Sequence, residues 1–381
     1  MFRLSKKMSS RMRTTILLAA LVIVIYFYKD VIDHSITRRQ LDVSKDVNQT
    51  DPPPTNSSYV YSWPRCERNM SSTKIRNFTQ LPEIIQNVFY YRHCRHFPML
   101  LDVPDKCGGV NGSADVFLLL IIKSSPENYD RREILRKTWA GEKLHNGVWI
   151  RRLFIVGSRN AGFDKVRLDK GLELEQREYN DILQWDFNDT FYNLTVKQIL
   201  FLEWKERHCP HARFLLNGDD DVFASTNNMV DYLQSLKDNT GNKHLFAGDL
   251  IENVGPIRKP DNKYFIPVEL QQSDLYPPYC GGGGFLLSSY TASVIYNMSH
   301  SITLFPIDDV YFGLCMAEAG IGPISHKGMK TGGLIMPFRG IDRYDPCYYR
   351  DVLLVHRFLS AKLYYMWNQV NDPNLDCSLE I

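Results

Sequence analysis

Residues 116–123 read Val116-Phe-Leu-Leu-Leu-Ile-Ile-Lys123, seven apolar residues that end on a lysine. A strand without a polar position is typical of a parallel sheet covered on both faces, because neither face meets water. Further strand-like runs occur at residues 153–156, 214–216, 244–247 and 285–287. Helix-like stretches lie before, between and after them, at residues 81–91, 131–139, 172–178, 194–204, 229–236, 292–297 and 310–319. This pattern predicts an α/β fold, a mostly parallel sheet with helices on both faces, and ligands at the carboxyl ends of its strands.

The charge of the chain is concentrated at its start. The 381 residues contain 45 Lys and Arg against 43 Asp and Glu, a net charge of +2. Residues 1–13 hold five basic residues and no acid, so the remainder carries −3. This balance argues against nucleic acid as a partner. With 44% hydrophobic residues, the chain is able to bury a large core.

An uncharged run of 15 residues follows, from Thr14 to Tyr28. As a helix it spans about 22 Å, less than a hydrocarbon core of about 30 Å. A cleaved signal peptide, a buried helix and an uncleaved signal-anchor are the alternatives. The run ends on aromatic residues and no small-residue cleavage site follows before Lys29. We therefore favour a transmembrane anchor at residues 14–28, with residues 1–13 cytoplasmic and the rest luminal.

Proline and polar residues, including Asp51-Pro-Pro-Pro54, predict a luminal stem over residues 29–75 and a folded domain over 76–381. Eight Asn-x-Ser/Thr sequons favour a glycosylating, oxidising compartment, in which the eight cysteines are expected to form disulfides. The sequon asparagines are Asn48, Asn56, Asn69, Asn77, Asn111, Asn188, Asn193 and Asn297.

The strongest chemical signal is the acidic triplet Asp219-Asp220-Asp221 between two apolar runs. Adjacent carboxylates repel one another, and a hard divalent cation bound by their oxygens removes the repulsion. The alternative is a solvated turn, in which aspartate is also common.

A second acidic pair, Asp308-Asp309, precedes the helix predicted at residues 310–319. One of the two is sufficient to cap the helix. The other is a candidate general base, and we expect the helix N-terminus to keep it ionised.

Other candidates rest on weaker patterns. Four glycines, Gly281–Gly284, enter a strand and would allow a ligand to approach the backbone closely. Lys123 at a strand end, with Arg131 on the next helix, would suit a diphosphate, although a solvated helix face explains the arginine equally well. His356 is either a metal ligand or a partly buried histidine with an ordinary partner.

Together these segments resemble the β-1,3-glycosyltransferases. The blocks that carry the similarity are residues 134–139, 216–223, 276–285 and 305–313. Residues 123–126, 181–187, 191–195 and 253–258 are similar to the β-1,3-N-acetylglucosaminyltransferase branch of that family. The resemblance extends from about residue 85 to 377.

The resemblance implies an A-type glycosyltransferase fold and a type II Golgi membrane enzyme. The donor would be UDP-N-acetylglucosamine, the cofactor Mn²⁺, and the acceptor galactose of N-acetyllactosamine or core-1 O-glycans. A homo-oligomer, or a hetero-oligomer with other Golgi glycosyltransferases, is also possible for a protein of this kind. The resemblance also assigns roles to residues of this chain: Asp309 the catalytic base; Asp308 at the acceptor; Asp221 and His356 the metal ligands; and Lys123, Arg131, Asp219, Asp220, Gly282 and Gly283 at the donor.

Two alternatives stay open at this point. A β-1,3-galactosyltransferase shares the same blocks and differs in the donor sugar pocket. A noncatalytic luminal glycan-binding protein would tolerate loss of a catalytic carboxylate, and every expected carboxylate is present here.

Overall fold

The structure is a computed structural model that describes residues 66–159, 163–334, 342 and 344–377. All of them belong to one unit, Trp63–Ile381. The predicted tail, the anchor, most of the stem, Asn48 and Asn56 lie outside the described residues. Within the described ranges, no helix has the length and apolar character needed to cross a membrane.

Twelve strands are present in the described residues. They are β1 (Met99–Leu101), β2 (Val116–Lys123), β3 (Lys143–His145), β4 (Val148–Ser158), β5 (Ile182–Asn188), β6 (Phe214–Asp219), β7 (Val222–Ala224), β8 (Phe246–Ile251), β9 (Tyr279–Ser288), β10 (Ile324–Ser325), β11 (Met329–Lys330) and β12 (Leu354–His356). The main sheet has the order β1-β5-β4-β2-β6-β9-β8-β10, with β3 paired to β4. A small second sheet has the order β11-β12-β7.

The apolar run that opens the sequence forms β2, at the centre of the main sheet. It pairs in parallel with β4 on one side and β6 on the other. All eight of its residues are buried, and its side chains divide between two hydrophobic cores. Leu119 and Ile121 enter one core, whereas Leu120 and Ile122 enter the other. The prediction of a strand buried on both faces is therefore confirmed.

The expectation of a mostly parallel sheet is only partly correct. The central strands β5, β4, β2 and β6 run in parallel. In contrast, β9 is antiparallel to both β6 and β8, β1 is antiparallel to β5, and β3 to β4. A parallel return needs a crossover, usually a helix. Residues 252–278 join β8 to β9 without a helix, so the sheet is mixed.

Helices cover both faces of the main sheet, as predicted. They are α1 (Glu83–Tyr91), the one-turn α2 (Gly109–Gly112), α3 (Tyr129–Lys137), α4 (Phe163–Tyr179), α5 (Leu194–His208), α6 (Thr226–Ser235), α7 (Ser289–Ser299), α8 (Asp308–Glu318) and α9 (Ser360–Val370). Helices α5, α7 and α8 contribute to one core, and α3, α4, α6 and α9 to the other. Each predicted helix falls within one of these elements or within two residues of it, whereas α9 and the second sheet were not predicted.

Six of the eight cysteines form disulfides: Cys66–Cys94, Cys107–Cys209 and Cys347–Cys377. Cys280 and Cys315 are buried free thiols, so the expectation that all eight would pair is wrong for these two. The first disulfide ties the chain before residue 76 to the segment that follows α1, and Ser72 in turn contacts α1 itself. Ser72 supports this contact, because its hydroxyl donates to the Phe89 carbonyl at 2.9 Å. Described structure thus begins within the predicted stem.

Candidate active site

The carboxyl ends of β2 and β6 bring the first two predicted site residues together. Lys123 and Asp219 are register partners at the ends of these parallel strands. The Lys123 ammonium lies 3.0 Å from Asp219 Oδ1 and 3.0 Å from Asp308 Oδ2, and it donates to the Gly282 carbonyl at 2.9 Å. An ammonium has three N–H donors, so protein oxygens occupy all of them. The predicted contact of Lys123 with the donor stays a prediction.

The acidic turn after β6 faces the end of β12. His356 is the register partner of Val222, directly after the triplet. Its Nε2 lies 3.2 Å from Asp221 Oδ1 and 3.6 Å from Asp219 Oδ2. One ligand atom from each of these three residues lies within 4.8 Å of the others. The structure therefore brings the two predicted metal ligands together and adds Asp219 to them.

This donor set fits a divalent cation. Two carboxylate oxygens suit hard cations, and an imidazole nitrogen shifts the preference toward transition metals such as manganese. Burial acts against the charged forms of Asp221 and His356. Even so, their attraction to each other lowers the pKa of Asp221 and, with Asp219, raises the pKa of His356. An imidazole binds a metal only in its neutral form. A divalent cation bound by Asp219, Asp221 and His356 would therefore take the place of the proton on the imidazole and would supply the positive charge that the two carboxylates attract.

Asp220 points away from this cluster. One carboxylate oxygen accepts from Ser124 Oγ at 2.7 Å and Asn128 Nδ2 at 2.8 Å, and the other contacts Arg131 Nη1 at 2.8 Å. The same guanidinium lies 3.8 Å from Asp221 Oδ2. Asp220 and Arg131 thus hold the turn that contains Asp219 and Asp221. Their predicted donor contacts stay predictions.

Asp308 and Asp309 begin α8 and have different surroundings. Asp308 is buried, and its Oδ2 accepts from Lys123 and, at 3.1 Å, from Gln198 Nε2. The predicted role of Asp308 at the acceptor stays a prediction. Asp309 Oδ1 accepts the Val310 N–H at 2.8 Å.

Burial and the adjacent Asp308 raise the pKa of Asp309 to about 7. The helix N-terminus was expected to keep this carboxyl ionised, and with this pKa it is fully ionised only above neutral pH. The Val310 N–H lowers the pKa, but burial and Asp308 outweigh it. A carboxyl with a pKa near neutrality is well matched to accept a proton at the pH of the cell.

The glycine run provides room for these side chains. A Cβ on Gly282 would lie 3.0 Å from Asp309 Oδ2, and a Cβ on Gly283 would lie 2.7 Å from Cγ and Nδ1 of His356. The glycines thus let strand β9 approach the base and the metal ligand closely. Whether Gly282 and Gly283 also contact the donor sugar stays a prediction.

Gly283→Ala is therefore expected to displace the His356 ring and to weaken Mn²⁺ binding by about tenfold or more, a loss typical of a misplaced ligand. Titration calorimetry of Mn²⁺ in the presence of UDP measures this. The matched control is Gly218→Ala on the paired strand, where the nearest atom to a new Cβ is 3.8 Å away. Equal Mn²⁺ affinity in the two variants would contradict the assignment.

Sequence reasoning missed a buried amide pair behind the site. Gln198 Nε2 donates to Asn217 Oδ1 at 2.9 Å, and Asn217 Nδ2 donates back to Gln198 Oε1 at 2.5 Å. This pair joins α5 to β6 and supports Asp308. Its only sequence signal is a polar residue within a helix and another within an apolar strand, which does not reveal that the two meet.

The described sequons differ in accessibility. Asn69, Asn77, Asn111 and Asn297 are exposed, whereas Asn188 and Asn193 are half-buried. The Nδ2 atom of Asn193, the atom that a glycan would modify, donates to the Asn188 carbonyl at 2.8 Å. Thr195 of the same sequon is buried and bonded to the Phe305 carbonyl. Glycosylation at these sites stays a prediction.

A mixed α/β sheet with a candidate cation cluster and a separate acidic residue at its strand ends is compatible with a glycosyltransferase, and comparisons with known proteins show the family. The galactosyltransferase family model matches residues 130–327. Human N-acetyllactosaminide β-1,3-N-acetylglucosaminyltransferase 3 is 50% identical over 313 residues, 82% of each chain. Human acetylgalactosaminyl-O-glycosyl-glycoprotein β-1,3-N-acetylglucosaminyltransferase is 45% identical over 87% of this chain and 85% of its own.

The chain belongs to the galactosyltransferase family, and specifically to its β-1,3-N-acetylglucosaminyltransferases. The resemblance noted in the sequence is thereby confirmed. A crystal structure of galactosyltransferase LgtC with donor and acceptor sugar analogues covers 66% of this chain and 95% of its own at 11% identity. Its TM-score of 0.33 is too low to support any argument.

Proposed function

We propose that this protein is an inverting glycosyltransferase that transfers N-acetylglucosamine from UDP-N-acetylglucosamine in β-1,3 linkage to galactose of N-acetyllactosamine or core-1 O-glycans. The observation that carries the proposal is the position of Asp309. Its neighbour Asp308 contacts Lys123, and Lys123 also contacts Asp219. Asp309, whose pKa is near neutrality, therefore lies beside the Asp219–Asp221–His356 cluster. The names of the two human relatives support the linkage and the sugar.

Asp309 accepts the proton of the acceptor 3-hydroxyl while that oxygen attacks the anomeric carbon of the donor. The new C–O bond forms on the face opposite UDP, and the bond to the diphosphate breaks, so an α donor gives a β product. Asp219, Asp221 and His356 would hold Mn²⁺. When bound, this cation supplies charge stabilisation to the departing diphosphate. Lys123 holds the neighbouring Asp308 carboxylate in place through a hydrogen bond to its Oδ2.

An assay with two donors tests the proposal. The purified protein with Mn²⁺ and galactose-terminated acceptors is expected to consume UDP-N-acetylglucosamine in clear preference to UDP-galactose. Preference for UDP-galactose would identify a β-1,3-galactosyltransferase. Calorimetric binding of UDP with Mn²⁺ but no product on any galactoside would indicate a noncatalytic glycan-binding protein. An acceptor array then distinguishes core-1 O-glycan, polylactosamine and glycolipid galactose.

Asp221→Ala is expected to weaken Mn²⁺-dependent UDP binding by roughly 10–100-fold or more, because one carboxylate ligand is lost and His356 loses its 3.2 Å partner. Calorimetry of UDP with and without Mn²⁺ measures the effect. Asp231→Ala, at an exposed carboxylate on α6, serves as control. Activity of Asp221→Ala that is still stimulated by Mn²⁺ to the wild-type extent would refute the metal assignment.

The pKa of Asp309 predicts the acid limb of the pH profile. Because burial and Asp308 raise this pKa to about 7, the base is protonated below neutrality and ionised above it. At saturating Mn²⁺, kcat/KM is expected to rise about tenfold per pH unit below pH 7 and to level off above it. Steady-state rates between pH 5.5 and 8.5 measure this. A flat profile between pH 5.5 and 7 would contradict the assignment of Asp309.

We also propose a type II Golgi membrane protein with the folded domain in the lumen. The basic tail, the apolar run 14–28 and the exposed sequons support this orientation. Disulfides form in oxidising compartments, which adds support. Protection of a C-terminal tag from protease in sealed Golgi vesicles, with a mobility shift on removal of N-glycans, tests it; a cytosolic tag would exclude it.

A further inference from the structure

The side of the His356 ring that faces away from the acidic turn is held by a second group of residues. His356 Nδ1 lies 3.3 Å from the backbone carbonyl of Thr331. Since a carbonyl only accepts hydrogen bonds, Nδ1 must be the protonated nitrogen in this contact. Thr331 is in turn held by Asp249, whose Oδ2 accepts from the Thr331 N–H at 2.9 Å and from its hydroxyl at 2.8 Å.

This chain of contacts decides which ring nitrogen is free. A neutral imidazole has one N–H and one lone pair, so a proton on Nδ1 leaves the lone pair on Nε2. Nε2 is the atom that lies 3.2 Å from Asp221 Oδ1, in the candidate cation cluster. Metal-binding histidines are usually oriented in this way, by a hydrogen bond from the ring N–H that does not face the metal.

We propose that Asp249 and Thr331 are positioning residues: they hold His356 in the tautomer and orientation that direct the Nε2 lone pair toward the divalent cation. The inference rests on the proposed function, because that function supplies the cation. Thr331 contacts His356 at Nδ1, the ring nitrogen that does not face Asp221, and Asp249 contacts Thr331. Both act through His356, and the sequence offers no sign of them, since β8, the segment after β11, and β12 are distant in the chain.

Glycines of β9 leave the space that Thr331 and His356 occupy. Thr331 is nearly buried, at 9% exposure, and a Cβ on Gly281 would lie only 2.3 Å from its hydroxyl oxygen. Gly283 leaves equivalent room for the His356 ring. Two glycines of β9 thus allow Thr331 and His356 to lie against the same strand. Asp249 comes from β8, the neighbour of β9 in the main sheet, so the contact joins the main sheet to the small one.

The chain provides a matched control. Asp238 forms the same pair of contacts with Thr240: its Oδ1 accepts from the Thr240 N–H at 3.0 Å and from the Thr240 hydroxyl at 2.6 Å. Thr240 is exposed and lies in a loop that contributes nothing to the candidate site. Removing Asp238 therefore deletes an equivalent Asp–Thr motif without affecting His356.

The test measures Mn²⁺ affinity directly, from the free-ion signal in electron paramagnetic resonance, with UDP present. Asp249→Ala and Thr331→Val are expected to weaken Mn²⁺ binding about 10–100-fold, the range for loss of a residue that orients a metal ligand. Thr331→Ser, which keeps the hydroxyl, and Asp238→Ala are expected to stay within twofold of wild type. Thermal midpoints without metal show that each variant folds, and UDP binding without metal should not change.

The outcomes separate this inference from the proposed function. If wild type binds Mn²⁺ and both Asp249→Ala and Thr331→Val bind it within twofold of wild type, the positioning role is overturned and the proposed function stands. Equal weakening in Asp238→Ala would also overturn it, because the effect would then be general. Failure of wild type to bind Mn²⁺ with UDP would overturn both.

Discussion

Asp309→Asn is expected to reduce turnover by roughly 10²–10⁴-fold, the contribution of a general base. Asparagine has nearly the same shape, but its amide cannot take the proton of the attacking hydroxyl. Asp309 is not among the three residues whose ligand atoms could share a cation. Binding of UDP with Mn²⁺ should therefore stay close to that of wild type, and the loss should appear in kcat.

The measurement combines single-turnover transfer from UDP-N-acetylglucosamine with calorimetry of UDP and Mn²⁺. Asp115→Asn, an exposed carboxylate directly before β2 and at the opposite end of that strand from Lys123, is the control for a charge change of the same size. Turnover of Asp309→Asn within threefold of wild type would show that another group accepts the proton. Loss of UDP binding in parallel with turnover would show a structural role instead.

The two acids at the start of α8 illustrate how adjacent carboxylates divide their tasks. Asp308 is buried against Lys123, with 3.0 Å between their charged atoms, and against Gln198. Its negative charge is one cause of the raised pKa of Asp309. Lys123 compensates Asp308 and Asp219 together. The ammonium thus reduces the repulsion between these two carboxylates, which lie close together at one edge of the sheet.

The parts of this site that could be predicted are those marked by a local sequence pattern, whereas contacts between distant parts of the chain left no such pattern. Lys123 and Asp219 end adjacent parallel strands, and an apolar run followed by a charged residue is visible in the sequence. The adjacent acids Asp308 and Asp309 are equally visible, because they are neighbours in the sequence. His356 was ambiguous, because its position depends on β12 pairing with β7 more than 130 residues earlier. Asp249 and Thr331 had no local signal, because each is an ordinary polar residue until the two sheets meet.

The fold, like the site, has features that local sequence predicts and features that depend on tertiary contacts. Buried strands and amphipathic helices follow from local periodicity, so β2, β4, β6 and most helices were predicted, whereas the central strand β5 was not. The direction of β9 depends on how residues 252–278 return to the sheet, which periodicity does not encode. The pairing of six cysteines, and the burial of Cys280 and Cys315 as thiols, likewise depend on tertiary contacts. The resemblance to a family supplied roles for residues that the patterns alone left undecided.

The largest effect on stability is expected from a buried acid outside the site. Asp181, which directly precedes β5, is fully buried and receives four hydrogen bonds from two arginines. Arg136 donates to both carboxylate oxygens at 2.8 and 2.9 Å, and Arg152 donates twice to Oδ2 at 2.7 and 2.9 Å. These contacts join α3, β4 and β5. Burial opposes the charge of Asp181, but the two guanidinium groups outweigh it and lower its pKa.

Asp181→Asn is therefore expected to destabilise the fold by about 3–5 kcal/mol, because removing one partner of a buried ion pair leaves uncompensated buried charge. Urea unfolding should show a lower midpoint with an unchanged slope. Asp186→Asn on the same strand is the control, since its contact with Lys165 is at the surface and such pairs contribute about 0–1 kcal/mol. A lowered folded-state pKa means that this stabilisation is present above about pH 4 and is lost as the pH falls further. The difference between the two proteins should therefore shrink in acid, and a difference independent of pH would indicate lost packing rather than lost charge.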